Sequence, residues 1–156
     1  MKGPLRHYRE WTRTTRAPQM AFANASHVTW RREFPVTEVS VPAARDWARS
    51  LLSVGGPPPF LDDALLLLSE VVTNALTHSD SGRTRSGRVT VQITRTGTTV
   101  HVGVTDAGSS TTAPTVRAPT LDDDGGRGLW LVELLAEEWG SCHDETGRMV
   151  WFRLAD

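Results

Sequence analysis

Glu70 and Asn74 stand four residues apart in a strongly helical stretch, so a carboxylate and an amide project from one face of the same helix. His78 extends that line by another turn. Further along, Asp106-Ala-Gly108 puts a carboxylate at the end of a strand-like run, just before a flexible turn. Gly125-Gly126-Arg127-Gly128-Leu129 then opens a second helix, where free backbone N–H groups can hold phosphate. A metal-binding amide, a base-reading carboxylate and a phosphate-holding loop are the parts of a nucleotide site. Each also has a plainer explanation: a helix-surface asparagine, a Glu satisfied by a neighbouring Arg, a turn after a strand, a loop-to-helix junction.

The elements that must position these residues follow from periodicity and punctuation. Val28 to Val36 alternates, with Trp30 and Phe34 among arginines, as a first strand. Ser40-Val-Pro42 reads as a helix start, with Ser40 as N-cap and proline in the first turn. That helix runs to about Leu52 on an apolar side of Ala44, Trp47, Ala48 and Leu51, and Gly55-Gly-Pro-Pro-Pro59 ends it. Phe60 to His78 is the central helix. Leu61, Leu65, Leu68, Val72 and Ala75 form its stripe, and Leu66, Leu67 and Val71 widen it almost all round, as in a helix buried between layers. The polar line through Glu70, Asn74 and His78 is therefore anomalous, because buried polar groups need partners or a ligand.

Ser79 to Gly87 is a polar loop. Arg88 to Thr96 and Thr99 to Asp106 alternate as two strands around a tight turn at Gly97-Thr98. Ala107 to Asp124 is long, polar and without period, as in a mobile functional lid or a disordered loop. Arg127 to Trp139 is a third helix with Leu131, Leu134 and Leu135 inward. Trp139 to Asp144 and Arg148 to Leu154 form a closing hairpin around Glu145-Thr-Gly147. These elements predict an α+β fold, a two-layer α/β sandwich with helices on one face of a mixed, mostly antiparallel sheet. Strand order is not readable from the chain.

The 156 residues suit one compact domain with a tail. Residues 1–27 show no sustained period and are expected to be a disordered basic arm ahead of a folded domain spanning 28–156. Met1 to Arg32 holds seven basic residues and one acidic, whereas the rest of the chain is net acidic. No apolar run is long enough to span a membrane and there is no secretory signal pattern. The single cysteine, Cys142, excludes an internal disulfide or a cysteine-built metal cage. A cytoplasmic protein is expected, with no membrane partner. The low aromatic content and the lack of interleaved basic and aromatic residues argue against a nucleic-acid platform; Trp30, Trp130, Trp139 and Trp151 read as core or partner-facing.

At these residues the chain resembles the GHKL superfamily of ATP-binding domains, named for gyrase, heat-shock chaperone, histidine kinase and MutL members. Within it, Ser69-Glu-Val-Val-Thr-Asn-Ala-Leu-Thr-His78, Gly126-Arg-Gly-Leu-Trp-Leu-Val132 and Gly147-Arg-Met-Val-Trp-Phe152 look most like the anti-sigma factor serine kinases. The likeness covers about Trp30 to Leu154. It implies the Bergerat-type GHKL fold with ATP and Mg²⁺ as cofactors.

The resemblance implies that Asn74 offers its amide oxygen to Mg²⁺, which prefers oxygen ligands. Glu70 would be the catalytic general base acting on a serine hydroxyl or water, a task suited to a partly buried carboxylate. Asp106 would accept from the adenine amino group, favouring ATP over GTP, and Gly108 would let the backbone approach the ring. Gly126 and Gly128 would bring N–H groups to the phosphates, with Leu129 completing the turn into the helix. Arg127 reaches a phosphate or only solvent. His78 contacts phosphate or simply benefits from the helix dipole. Two positions depart from the family's pattern: Ser110 stands where a second glycine is usual, and Met149 where relatives often place a small hydroxyl residue near the adenine.

The expected function is an anti-sigma factor serine/threonine-protein kinase that phosphorylates an anti-sigma factor antagonist and also holds a sigma factor, with homodimer formation open. The alternatives are a catalytically quiet ATP-binding interaction module and, more weakly, the catalytic domain of a sensor histidine kinase. The last would need a dimerising helix pair with a phosphoacceptor histidine.

Overall fold

The computed structural model describes residues 8–11, 26–78, 87–106, 127–144 and 147–156. In chain order these form β1 (Tyr8–Trp11), β2 (His27–Pro35), α1 (Ser40–Leu52), α2 (Leu61–His78), β3 (Arg88–Thr96), β4 (Thr99–Asp106), α3 (Arg127–Leu135), β5 (Glu138–Asp144) and β6 (Gly147–Ala155). The sheet has six strands in the order β1-β5-β6-β4-β3-β2. β1 runs parallel to β5, and the other neighbours are antiparallel. The three helices lie on one face, giving the α+β sandwich that the pattern predicts.

Strand alternation builds the interface between the layers. Val89, Val91 and Ile93 of β3, Val100, Val102 and Val104 of β4, and Val150, Phe152 and Leu154 of β6 all point to the helices and are almost fully buried. Ala44, Ala48 and Leu52 of α1, with Leu65, Leu68 and Val72 of α2, meet them from the other side. Each fully buried aliphatic side chain contributes about 1.5–3 kcal/mol, so this interface outweighs any single polar contact. The hairpin between β3 and β4 closes in two residues because Gly97 takes a positive φ of 58°, where a side chain would be strained.

At the far edge, Phe34 of β2 is buried edge-to-face on Trp47 of α1, with ring centroids 5.8 Å apart. Arg95 of β3 donates to the carbonyls of Leu52 and Val54, at 3.3 and 3.1 Å, meeting acceptors that the end of α1 cannot pair internally.

Several local readings need correction. Ser40 is not an N-cap: α1 begins at Ser40 after Val39, which makes no side-chain cap bond, and the Ser40 hydroxyl donates to the Pro35 carbonyl. The segment from β2 turns back sharply here, so that carbonyl is the nearer acceptor. α3 stops at Leu135, short of Trp139, because Trp139 is drawn into β5, where it pairs with Phe152 and its indole N–H donates to Glu133. The phase of α3 also differs. Leu129, Val132 and Ala136 are buried and Leu131 packs against the core as expected, whereas Leu134 and Leu135 are exposed at 57% and 36%. Among the residues before β2, Tyr8–Trp11 forms a strand on the β5 edge, which the lack of period did not foreshadow.

Candidate functional site

α2 packs on α1, on α3 and on strands β3 and β4, so it is the central helix of its layer. That explains its nearly continuous apolar surface: Leu65, Leu67, Leu68, Val71 and Val72 are each at most 1% exposed. Glu70 and Asn74 occupy the remaining line and are half-buried, while Thr73 and Thr77 are exposed. Two hydroxyls of the helix are satisfied within it. Ser69 donates to the Leu65 carbonyl at 2.7 Å and Thr77 to the Thr73 carbonyl at 2.8 Å. Glu70 and Asn74 are thus the polar side chains of this stretch that remain poised at the edge of the core.

Asp106 ends β4, the strand against which α2 packs. It shares the helix-facing side of the sheet with Val100, Val102 and Val104 and is itself buried. Directly opposite it in the β4–β6 register is Arg148. The Arg148 Nη2 lies 3.6 Å from Asp106 Oδ2, and the two side chains are only 4% and 2% exposed. Two opposite charges therefore face each other at the end of an otherwise apolar layer.

Arg148 is the neighbour of Asp106 that sequence reasoning did not single out. A signal for it exists: Arg148, Val150, Phe152 and Leu154 share one face of β6, and Arg148 is the charged end of that apolar line. Met149, by contrast, points the other way. It pairs with Thr105 and Cys142, and its Sδ lies 3.3 Å from where a Cβ on Gly103 would stand, on the sheet face away from the helices. By the period of the strand, Met149 lies on the face away from Asp106, and the residue beside Asp106 is Arg148.

On that outer face, Trp151 is buried and stacks on His101 with ring centroids 5.2 Å apart and planes at 27°. The His101 imidazole is held down to a pKa of about 4, first by burial and then by the positive charge of Arg153.

The remaining expected residues are placed unevenly. His78 is the last residue of α2, and Arg127 and Gly128 open α3. Leu129 is part of the buried core cluster. Gly108, Ser110, Gly126 and the whole of the 107–124 segment expected to act as a lid lie outside the described residues. Among the described residues, no three His, Cys, Asp or Glu side chains gather as a metal cage, and no helix is long and apolar enough to cross a membrane.

The profile of the histidine kinase-like ATPase domain matches residues 34–154. Among solved structures, the RsbU and RsbW domains of Rv1364c from Mycobacterium tuberculosis are similar at 20% sequence identity and a TM-score of 0.63. The match covers 82% of this chain and 32% of that one, so this chain spans about a third of its length. At that identity the likeness is one of fold. No curated protein sequence matches significantly.

Proposed function

The chain belongs to the histidine kinase-like, GHKL-type, ATPase domain family, and from that premise we propose that it is an ATP-dependent serine kinase acting on an anti-sigma factor antagonist. The observation that supports this reading is the placement of α2: the helix carrying Glu70 and Asn74 one turn apart packs on the strand that ends at Asp106. Candidate proton acceptor, amide oxygen and base-reading carboxylate thereby belong to one helix–strand contact.

The donor set fits the cofactors. One half-buried amide is a poor all-protein metal site but suits Mg²⁺, which keeps waters and takes its other oxygens from substrate phosphates. When bound, ATP–Mg²⁺ supplies the phosphoryl group and the charge that neutralises the phosphate oxygens. The protein's own residues orient and exclude. Asp106 would accept from the adenine amino group, Asn74 would hold Mg²⁺, and backbone N–H groups of Gly126, Arg127 and Gly128 would hold phosphate. Glu70 takes the proton of the attacking serine hydroxyl, one turn of helix from Asn74. Phosphorylation of the antagonist then adds charge at the serine and changes which partner it holds, releasing or capturing the sigma factor.

Glu70→Gln tests this. The substitution keeps shape and hydrogen bonding but removes the base, so ATP affinity should persist. Transfer from labelled ATP to a candidate antagonist should fall by roughly 10²–10⁴-fold under single turnover. Unchanged transfer removes Glu70 from the chemistry. ATP binding by the parent with no transfer to any sigma-factor antagonist leaves the interaction-module reading in its place.

A further inference from the structure

Arg148 is a buried cation with idle donors. Its side chain is 4% exposed, and although Nη2 is 3.6 Å from the Asp106 carboxylate, neither Nε nor Nη2 has a hydrogen-bond partner. Native structures keep very few buried N–H groups unpaired, and a guanidinium among apolar side chains is unfavourable unless its donors are used. Val150, Phe152 and Leu154 fill the same inward line of β6 without that penalty. The end of the line therefore holds two donors, Nε and Nη2, that make no hydrogen bond among the described residues, with the Asp106 carboxylate beside them at ion-pair distance.

We propose that Arg148 reads the base together with Asp106, donating an N–H to the adenine ring nitrogen beside the amino group that Asp106 accepts. This rests on the ATP-binding reading above and names the second contact of that site. An ionised carboxylate only accepts and a guanidinium only donates. Placed side by side, they present acceptor then donor. The Watson–Crick edge of adenine presents the complement in the same order, amino donor then ring acceptor.

The register makes the two side chains one unit, since Asp106 and Arg148 are direct cross-strand partners on one face of the sheet. A carboxylate has about four lone-pair positions, so Asp106 can hold the guanidinium and accept from the base together. Guanine carries a carbonyl and an N–H in the reverse order, and must shift in the site to meet the same pair. Arg148 thus adds to the preference for ATP that Asp106 begins.

The test deletes the ring nitrogen and the side chain separately. The full chain is titrated calorimetrically with ATP–Mg²⁺ and with the 1-deaza analogue, which keeps the amino group but has C–H in place of the ring nitrogen. The analogue should bind about tenfold or more weakly, the effect of losing a hydrogen bond to a charged group. In Arg148→Met, ATP should weaken by a similar factor and the two nucleotides should bind alike. A merely structural arginine would weaken both nucleotides and leave their ratio unchanged. Equal binding of both nucleotides to the unmodified chain overturns the inference even if the variant does not fold. Failure of ATP itself to bind overturns the parent reading, whereas tight ATP binding with no discrimination overturns the role of Arg148 alone.

Discussion

β6 carries two arginines on opposite faces of the sheet, and the contrast between them separates a buried charge pair from an exposed one. Arg153 ion-pairs with Glu137 and Glu138 at 3.3 and 3.5 Å, while Arg148 pairs with Asp106 at 3.6 Å. The distances are nearly equal, so distance does not distinguish the pairs. Burial does. The Arg153 side chain is 32% exposed and its partners 50% and 25%, against 4% and 2% for Arg148 and Asp106. Water screens the first set, and such exposed pairs are worth little. The second has given up hydration on both sides, so removing one partner is severe even though the pair itself need not be stabilising. A charge retained under those conditions calls for a use, and the end of the sheet next to α2 is where nucleotide is proposed to bind.

The largest expected effect breaks the inner pair. Asp106→Ala leaves the Arg148 charge buried without its carboxylate and should destabilise the fold by about 3–5 kcal/mol, read from denaturant unfolding. Adding Arg148→Met to that variant should recover much of the loss, because the orphaned charge goes with it. A loss of only a few tenths from Asp106→Ala would make the two ends of β6 alike.

The next effect is pH dependence on the outer face. The folded His101 pKa is about 4, against 6.5 for the free side chain. Below pH 6.5 the unfolded chain takes up a proton that the folded chain refuses until about pH 4. The contribution is therefore present at neutral pH and is lost as pH falls through that window, on the order of 3 kcal/mol in all. His101→Gln should flatten this part of the stability–pH curve. Parallel curves for parent and variant would mean that the imidazole is not held neutral.

The smallest effect belongs to the exposed network. Arg153→Ala should change stability by less than about 1 kcal/mol, and the difference should shrink further at high salt. Because Arg153 also repels a proton on His101, the variant should move the His101 titration upward, which NMR can follow. A stability loss matching that of Asp106→Ala would erase the contrast between the two arginines.

What could be read from the chain tracks how much of the signal is local. The bounds of β3 and β4 were legible because alternation and a two-residue glycine turn leave little choice. α2 and its polar line of Glu70 and Asn74 were legible because apolar residues cover the rest of the helix. α3 was misphased for the opposite reason. Leu129 to Leu135 is apolar at every position except Glu133, so periodicity cannot choose a face; packing against α2 and the pull of Trp139 into β5 choose Leu129 and Val132. β1 has four residues and no pattern of its own, and its pairing is supplied by the edge of β5.

The sequence by itself determined the α+β class, the helix that carries Glu70 and Asn74, and the carboxylate at the end of β4, since each rests on short-range spacing or on polar residues where apolar ones are due. Only the tertiary structure decided which side chain stands against Asp106. Arg148 and Met149 are adjacent in the chain, and a strand sends neighbours to opposite faces. Which of them turns inward depends on the register of β6 against β4, a long-range pairing that places Arg148 in the dry layer and leaves Met149 over Gly103.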